Sequence, residues 1–444
     1  MKGGSLLVFV HRHTSYGDAW LLVTGGGHVD FSSGLETVIN AGKIRGKRIL
    51  ASSDGWKGSS LTPHAIYDIT DYPVQNLQFS GGSFIGSDRF NPEKSNLLDD
   101  LVSNICSFGN VVIISFGGDD TQKIAEILFK KYGLPVVGWP KTMDNDTQGS
   151  YATIGYRTAV RRASREVRTA FDTAYTNSKV VLVVMFGRDS DWVDGGAADF
   201  GFADYTIPAE KKGLTFTAVA AGIKEKLLEN KDKYGRSFAV VAVSEAGDQL
   251  AGLEPFVQRY TSNTRMDNFD HVKLNPERLA LALQDALREY SGIESTAPKV
   301  LTYHLRDGKL QGIDRDFARM TAEECVRLID REEFGRVATI QHPDMASSWP
   351  EDPSAWVKAE DGSRLFVSSV PLSIAAKKRY VTGTGFFDYD QLRPTERMTA
   401  YLKPLLGPKP IDPRDKIISF RLAVPVGLDL RVDRAHSKMH QRSV

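Results

Sequence analysis

The stretch WPKTMDND (139–146) sets Lys141, Thr142, Asp144 and Asp146 directly behind the apolar run LPVVGW (134–139). One carboxylate could be a general base and the other could orient Mg²⁺ or the loop. A capped Asx-turn fits the same letters. A second cluster is GGDD, Gly117 to Asp120. Glycines after a strand let backbone approach a phosphate, and the next helix offers its N-terminal N–H groups. An aspartate there repels phosphate unless it holds Mg²⁺, directly or through water. The alternative is a tight turn, with Asp120 capping a helix that starts at Thr121. TGGG (24–27) is another such loop, or a plain strand-to-helix turn. Arg188, closing KVVLVVMFGR (179–188), could stabilise charge on a transferring phosphoryl group. A solvated or ion-paired arginine is the alternative.

These residues need positioning, and the surrounding pattern supplies it. Short apolar runs alternate with helical segments. Strands are expected at 20–24, 47–51, 111–116, 135–139, 179–186, 237–245, 299–306 and 335–341. Helices are expected at 33–46, 121–133, 153–175, 215–235, 276–292 and 315–331. Continuously apolar strands joined by helices predict an α/β fold of mainly parallel sheets, with sites at the strands' carboxyl ends. GGG, GGDD, KTMDND, GRDSD and SE all fall at strand ends. Residues 345–365 and 404–416 read as loop, and the tail HSKMHQRSV as frayed.

The chain has 444 residues, which predicts two lobes. Lys plus Arg is 56 and Asp plus Glu 55, for a net charge of +1. That balance supports neither a nucleic-acid nor a membrane partner. The N-terminal LLVFV is too short for a signal segment, and no apolar run reaches the ~20 residues of a membrane helix. Cys106 and Cys325 both sit among apolar neighbours and read as buried structural thiols. With no disulfide framework, a cytoplasmic location is expected.

In order along the chain, the motifs resemble the phosphofructokinase family. The resemblance runs through VTGGGHVDFSSGLETVINA, GGSFIGSDRFNPE, VVIISFGGDDT, PKTMDNDTQGSYATIGYRTA, VVLVVMFGRDSDW, VVAVSEAG, FDHVKL and YHLRDGKLQGIDRDFA, roughly residues 20 to 340. It implies a two-lobed fold with the active site in the cleft. Residues 1–150 plus about 305–350 would bind the donor, and 151–304 plus part of 351–444 the acceptor. It implies Mg²⁺-dependent, reversible transfer to the 1-hydroxyl of fructose 6-phosphate. Members with Asp and Lys at the positions of Asp120 and Lys141 use pyrophosphate; those with glycine there use ATP. By position, Asp144 would be the base, Thr142 and Arg188 would act on the transferring group, and Asp119 would serve Mg²⁺. Gly26, Gly27, Arg89 and Gly118 would face the donor with Asp120 and Lys141. Asp146, Phe186, Glu245, Tyr303 and Arg306 would shape the acceptor side. Lys179 occupies a position that a neighbouring subunit uses, implying a homodimer or homotetramer.

The chain departs from the family in places. The first loop usually reads GGDxPGxN; here it reads GGHVDFSS, with His28 for an aspartate. Phe186 replaces a methionine, Lys179 an arginine and Tyr303 a common histidine, and RDGKLQG keeps one of two glycines. FVQRY (256–260) imitates the acceptor motif, but TYHLR (302–306) matches it better. The edited acceptor shell leaves open another acceptor, such as sedoheptulose 7-phosphate, another sugar, a polyol or a nucleoside. The altered first loop leaves open a noncatalytic sugar-phosphate-binding paralogue. GGDGT-type turns also occur in lipid and dinucleotide kinases, but PKTMDND argues against that reading.

Overall fold

The computed structural model describes residues 17–75, 77, 81–188, 190–260 and 275–417. FDHVKL, Asp189 and both termini lie outside these residues. In chain order the strands are β1 (Ala19–Thr24), β2 (Arg48–Ser52), β3 (Ile66–Asp68), β4 (Val111–Gly117), β5 (Val136–Thr142) and β6 (Ile154–Gly155). Then come β7 (Val180–Met185), β8 (Tyr205–Ile207), β9 (Ala239–Ser244), β10 (Thr296–Leu301), β11 (Arg336–Gln341), β12 (Trp356–Lys358) and β13 (Arg364–Pro371).

They form two main sheets. The larger has the order β12-β13-β11-β5-β4-β1-β2-β3, with β6 beside β5; the smaller has the order β10-β7-β9-β8. The smaller sheet is wholly parallel. So is the centre of the larger one, which has antiparallel pairs at both edges. Residues of β1, β4, β5, β7 and β9 are buried throughout, as strands covered on both faces must be. Trp20, Phe116 and Trp139 fill the interior against the helix Ser32–Ile44.

Most helices follow the sequence signals. Pro276–Ser291 starts with proline, is capped by the Asn275 side chain, and ends at Gly292 with φ 64°. Four expectations need correction; the loop expected at 404–416 begins inside the helix Glu396–Leu406, which buries Leu405 and Leu406, and is helical again from 413. The strand expected over 299–306 stops at Leu301, because its partner β7 ends at Met185 and leaves no ladder beyond. Tyr303–Leu305 is a 3₁₀ turn instead. The loop expected at 345–365 contains β12 and the start of β13, which extend the large sheet past β11. Cys106 is exposed, since the helix Leu98–Cys106 buries Leu101 and Ile105 and turns the next residue outward; Cys325 is buried as expected.

Candidate active site

The carboxyl ends of β1, β4 and β5 meet the ends of β7, β9 and β10 at one cleft. Gly26, Gly27, Arg89, Gly118, Asp119, Asp120 and Lys141 line it. So do Thr142, Asp144, Asp146, Arg188 and Arg306. Glu245, Phe186 and Tyr303 stand just behind Arg188 and Arg306. Lys179 precedes β7 at the end opposite Arg188, and the chain does not bring it to the cleft.

At the end of β4 the helix Asp119–Tyr132 begins two residues earlier than expected. Its N-cap is Gly118, with no side-chain capping bond. Asp120 is therefore no cap; it sits in the first turn and faces the cleft. A Cβ on Gly26 would lie 2.3 Å from the Arg89 side chain, so only glycine fits. Gly27 has φ +68°, and around its missing Cβ stand Arg89, Arg306 and Lys141, at 3.5, 3.8 and 4.0 Å. Three cations around one glycine make an anion cradle.

Lys141 is 2% exposed. Its Nζ donates to the carbonyls of Gly26 and Gly27, each at 2.6 Å, and lies 5.3 Å from the Phe31 ring centre. Burial, then the charges of Arg306 and Arg89, pull its pKa down to about 7, against opposing pulls from Asp144 and Asp146. Its third N–H, present only in the ammonium, points towards the Gly25 carbonyl at a longer 3.4 Å, the weakest of the three contacts. Short β6 pairs Ile154 with Lys141 and Gly155 with Thr142, fixing both at the strand end.

At the centre, Thr142 Oγ1 accepts from Asp144 N at 3.1 Å, leaving its O–H free to donate. Asn145, between the two carboxylates, has φ +55°, which few non-glycine residues adopt. It is held there. Its Oδ1 accepts from Thr153 N at 3.0 Å and its Nδ2 donates to Tyr401 Oη at 2.8 Å. Arg188 also has positive φ, at 54°. Glu245 Oε1 accepts from the N–H groups of Gly187 and Arg188, at 3.2 and 2.7 Å. Burial, then the neighbouring Asp144 charge, push the Glu245 carboxyl up to about 7. Two positive-φ residues thus stand at this cleft, each with its backbone or side chain held by the bonds above.

The side of the cleft formed by Phe186, Tyr303 and Arg306 is aromatic. The Arg306 guanidinium lies 5.1 Å from the Phe186 ring and 4.7 Å from that of Tyr303. Arg306 Nε is buried with no hydrogen-bond partner. His28 stacks on Tyr303, and its Nε2 lies 2.7 Å from Asp307 Oδ1. Asp30 Oδ2 accepts from Leu310 N at 3.2 Å. The two segments that depart most from the family motifs therefore dock on each other.

Among the described residues no group of three or more His, Cys, Asp or Glu side chains is arranged to hold a metal alone. Mg²⁺ bound with phosphates needs only one or two carboxylates, water completing its octahedron. Asp119, beside the anion cradle, fits that need. Lys378 also lines the cleft, and sequence reasoning missed it. Its only signal was the basic run KKR (377–379), which belongs to no motif. No helix among the described residues is long and apolar enough to cross a membrane.

The architecture defines a class. The chain superposes on pyrophosphate-dependent phosphofructokinase from Nitrosospira multiformis with a TM-score of 0.65, over 88% of this chain and 92% of that one, at 17% identity. Saccharomyces cerevisiae phosphofructokinase gives 0.58 over 87% and 50%, at 21% identity. The family described as Phosphofructokinase matches residues 21–329, and the chain belongs to it. A pyrophosphate–fructose 6-phosphate 1-phosphotransferase of Dictyoglomus thermophilum is 29% identical over 72% of this chain and 88% of its own length. An ATP-dependent 6-phosphofructokinase 3 of Streptomyces coelicolor is 27% identical over 73% and 91%. Overall similarity therefore does not separate the two donors.

Proposed function

We propose that the chain transfers a phosphoryl group from inorganic pyrophosphate to the 1-hydroxyl of fructose 6-phosphate, reversibly. The donor side of the cleft carries this reading. Asp120 adds bulk and negative charge where an ATP α-phosphate would pass. Lys141 supplies a compact cation at a three-cation cradle, which suits a small anion with no adenosine anchor. The Asp144 carboxylate takes the hydroxyl proton as the sugar oxygen attacks the terminal phosphorus. The bridging P–O bond breaks and orthophosphate leaves. Thr142, Lys141 and Arg188 offset charge on the transferring group. Asp119 would hold Mg²⁺, which neutralises phosphate charge when bound. Glu245 would hold a sugar hydroxyl through its Oε2, its Oε1 being taken by the Gly187 and Arg188 N–H groups.

Pyrophosphate and ATP, each offered as sole donor in a coupled assay with fructose 6-phosphate, test the reading. Activity with pyrophosphate alone is expected; activity with ATP alone overturns the donor assignment. The Phe186 ring against Arg306 favours a second reading, in which the acceptor is another phosphorylated sugar, and an acceptor panel separates the two. β7 sets about 20 Å between Lys179 and Met185, whose end of the strand leads to Arg188. Lys179 would serve the cleft of a second copy, so a dimer or tetramer is the proposed working form, and sedimentation checks it.

A further inference from the structure

The family match ends at residue 329, yet the cleft does not. After β13 and the short helix Leu372–Ala375, the chain returns to the catalytic loop through KKRY (377–380). Gln148 N donates to Lys377 O at 3.0 Å, and Lys378 forms an antiparallel bridge with Thr147. Along such an extended pair successive side chains point to opposite sides. Arg379 points inward. Its Nε and Nη2 donate to Asn145 O at 3.2 and 3.0 Å, and its Nη1 donates to Ser150 O at 2.5 Å. Its own N–H donates to Asp146 O at 2.6 Å. The guanidinium lies 4.2 Å from the Trp192 ring centre, and Trp192 Nε1 donates to Arg379 O at 3.1 Å. Trp192 begins the helix that follows Arg188. One residue therefore ties the loop bearing Asp144 to the element that follows Arg188.

With Arg379 turned inward, Lys378 faces the other way, into the cleft beside Asp144, Asp146 and Arg188. Two carboxylates at this end of the cleft oppose the approach of any phosphate. A cation across from them offsets that field in a partly desolvated site. Lys378 already has a partner within the protein, so an incoming anion would exchange that partner.

We propose that Lys378 is a substrate-contacting cation of this cleft, binding a phosphate oxygen, and that Arg379 is the positioning residue that delivers it. The proposal rests on the phosphotransferase reading above and takes inorganic pyrophosphate as its probe. Three substitutions test it. Lys378→Met should lower kcat/KM for pyrophosphate by roughly 10- to 100-fold, the range for one charge-assisted hydrogen bond, at unchanged melting temperature. Lys378→Arg should restore most of it. Lys377→Met, at an exposed neighbour, should match wild type. Arg379→Lys should instead lower kcat with a smaller change in KM, because it loosens Asp144. Calorimetric titration of pyrophosphate without acceptor reads the Lys378 contact independently of turnover. A wild-type chain that turns over no donor fails the reaction assigned above and leaves that titration to decide Lys378. Equal pyrophosphate affinity in wild type and Lys378→Met overturns the proposal, as does a kcat/KM within twofold of wild type.

Discussion

Raising the pH above 7 should weaken donor capture while leaving turnover of the filled enzyme nearly constant. The group responsible is Lys141, whose ammonium is destabilised by burial and by Arg306 and Arg89, so that it titrates at about 7. The charged form exists below that value and is lost as the pH rises through it. The charged fraction is roughly one half at pH 7, one tenth at pH 8 and one hundredth at pH 9. If pyrophosphate binds only the ammonium, kcat/KM for pyrophosphate falls about tenfold per unit between pH 8 and 9. A bound polyanion restores the proton, so kcat, which reports the filled enzyme, changes far less. Pyrophosphate itself ionises, so the same series is measured on Lys141→Arg, whose guanidinium stays charged. The difference between the two slopes belongs to Lys141. Parallel slopes for the two proteins would refute the reasoning. Stability has the opposite sign. An unfolded lysine keeps its proton to about 10.5. Between about 7 and 10.5 the unfolded chain therefore holds more protons, and this group adds up to ~1.4 kcal/mol of stability per pH unit as pH rises. Urea unfolding at pH 7 and 9 should show that gain in wild type but not in Lys141→Met.

Three further outcomes follow from the geometry. Asp144→Asn should reduce kcat by about 10²- to 10⁴-fold while retaining donor binding, by steady-state assay and calorimetry; full activity sinks the base assignment. Phe186→Met, which removes the ring beside Arg306, should shift preference among sugar phosphates in an acceptor panel, with little effect on KM for pyrophosphate. Tyr401→Phe removes the acceptor for Asn145 Nδ2 and should cost about 1–2 kcal/mol in urea unfolding, with a fall in kcat as the αL turn relaxes.

The parallel core was legible because its strands are buried on both faces and so read as unbroken apolar runs, VVIISF and VVLVVM among them. The cleft residues were legible because they close those runs. What escaped notice depends on partners remote in sequence. β12 and β13 are short and mixed in composition; they are strands because β11 offers them an edge. Where KVLTYHLR stops being a strand is set by the length of β7, not by its own letters. His28 looked like a lost aspartate until the fold set it against Tyr303 and Asp307. Lys378 carries no motif at all, and its place comes from the pairing of Thr147 with a segment more than two hundred residues away.

That return of the chain has a consequence for synthesis. Asp144, Asp146 and Arg188 leave the ribosome long before Arg379 and Tyr401, which hold Asn145 and the backbone around it. A nascent chain can therefore carry every recognisable signature before the contacts that hold Asn145 exist. The loop gains the Tyr401 contact only once the helix Glu396–Leu406 has been made.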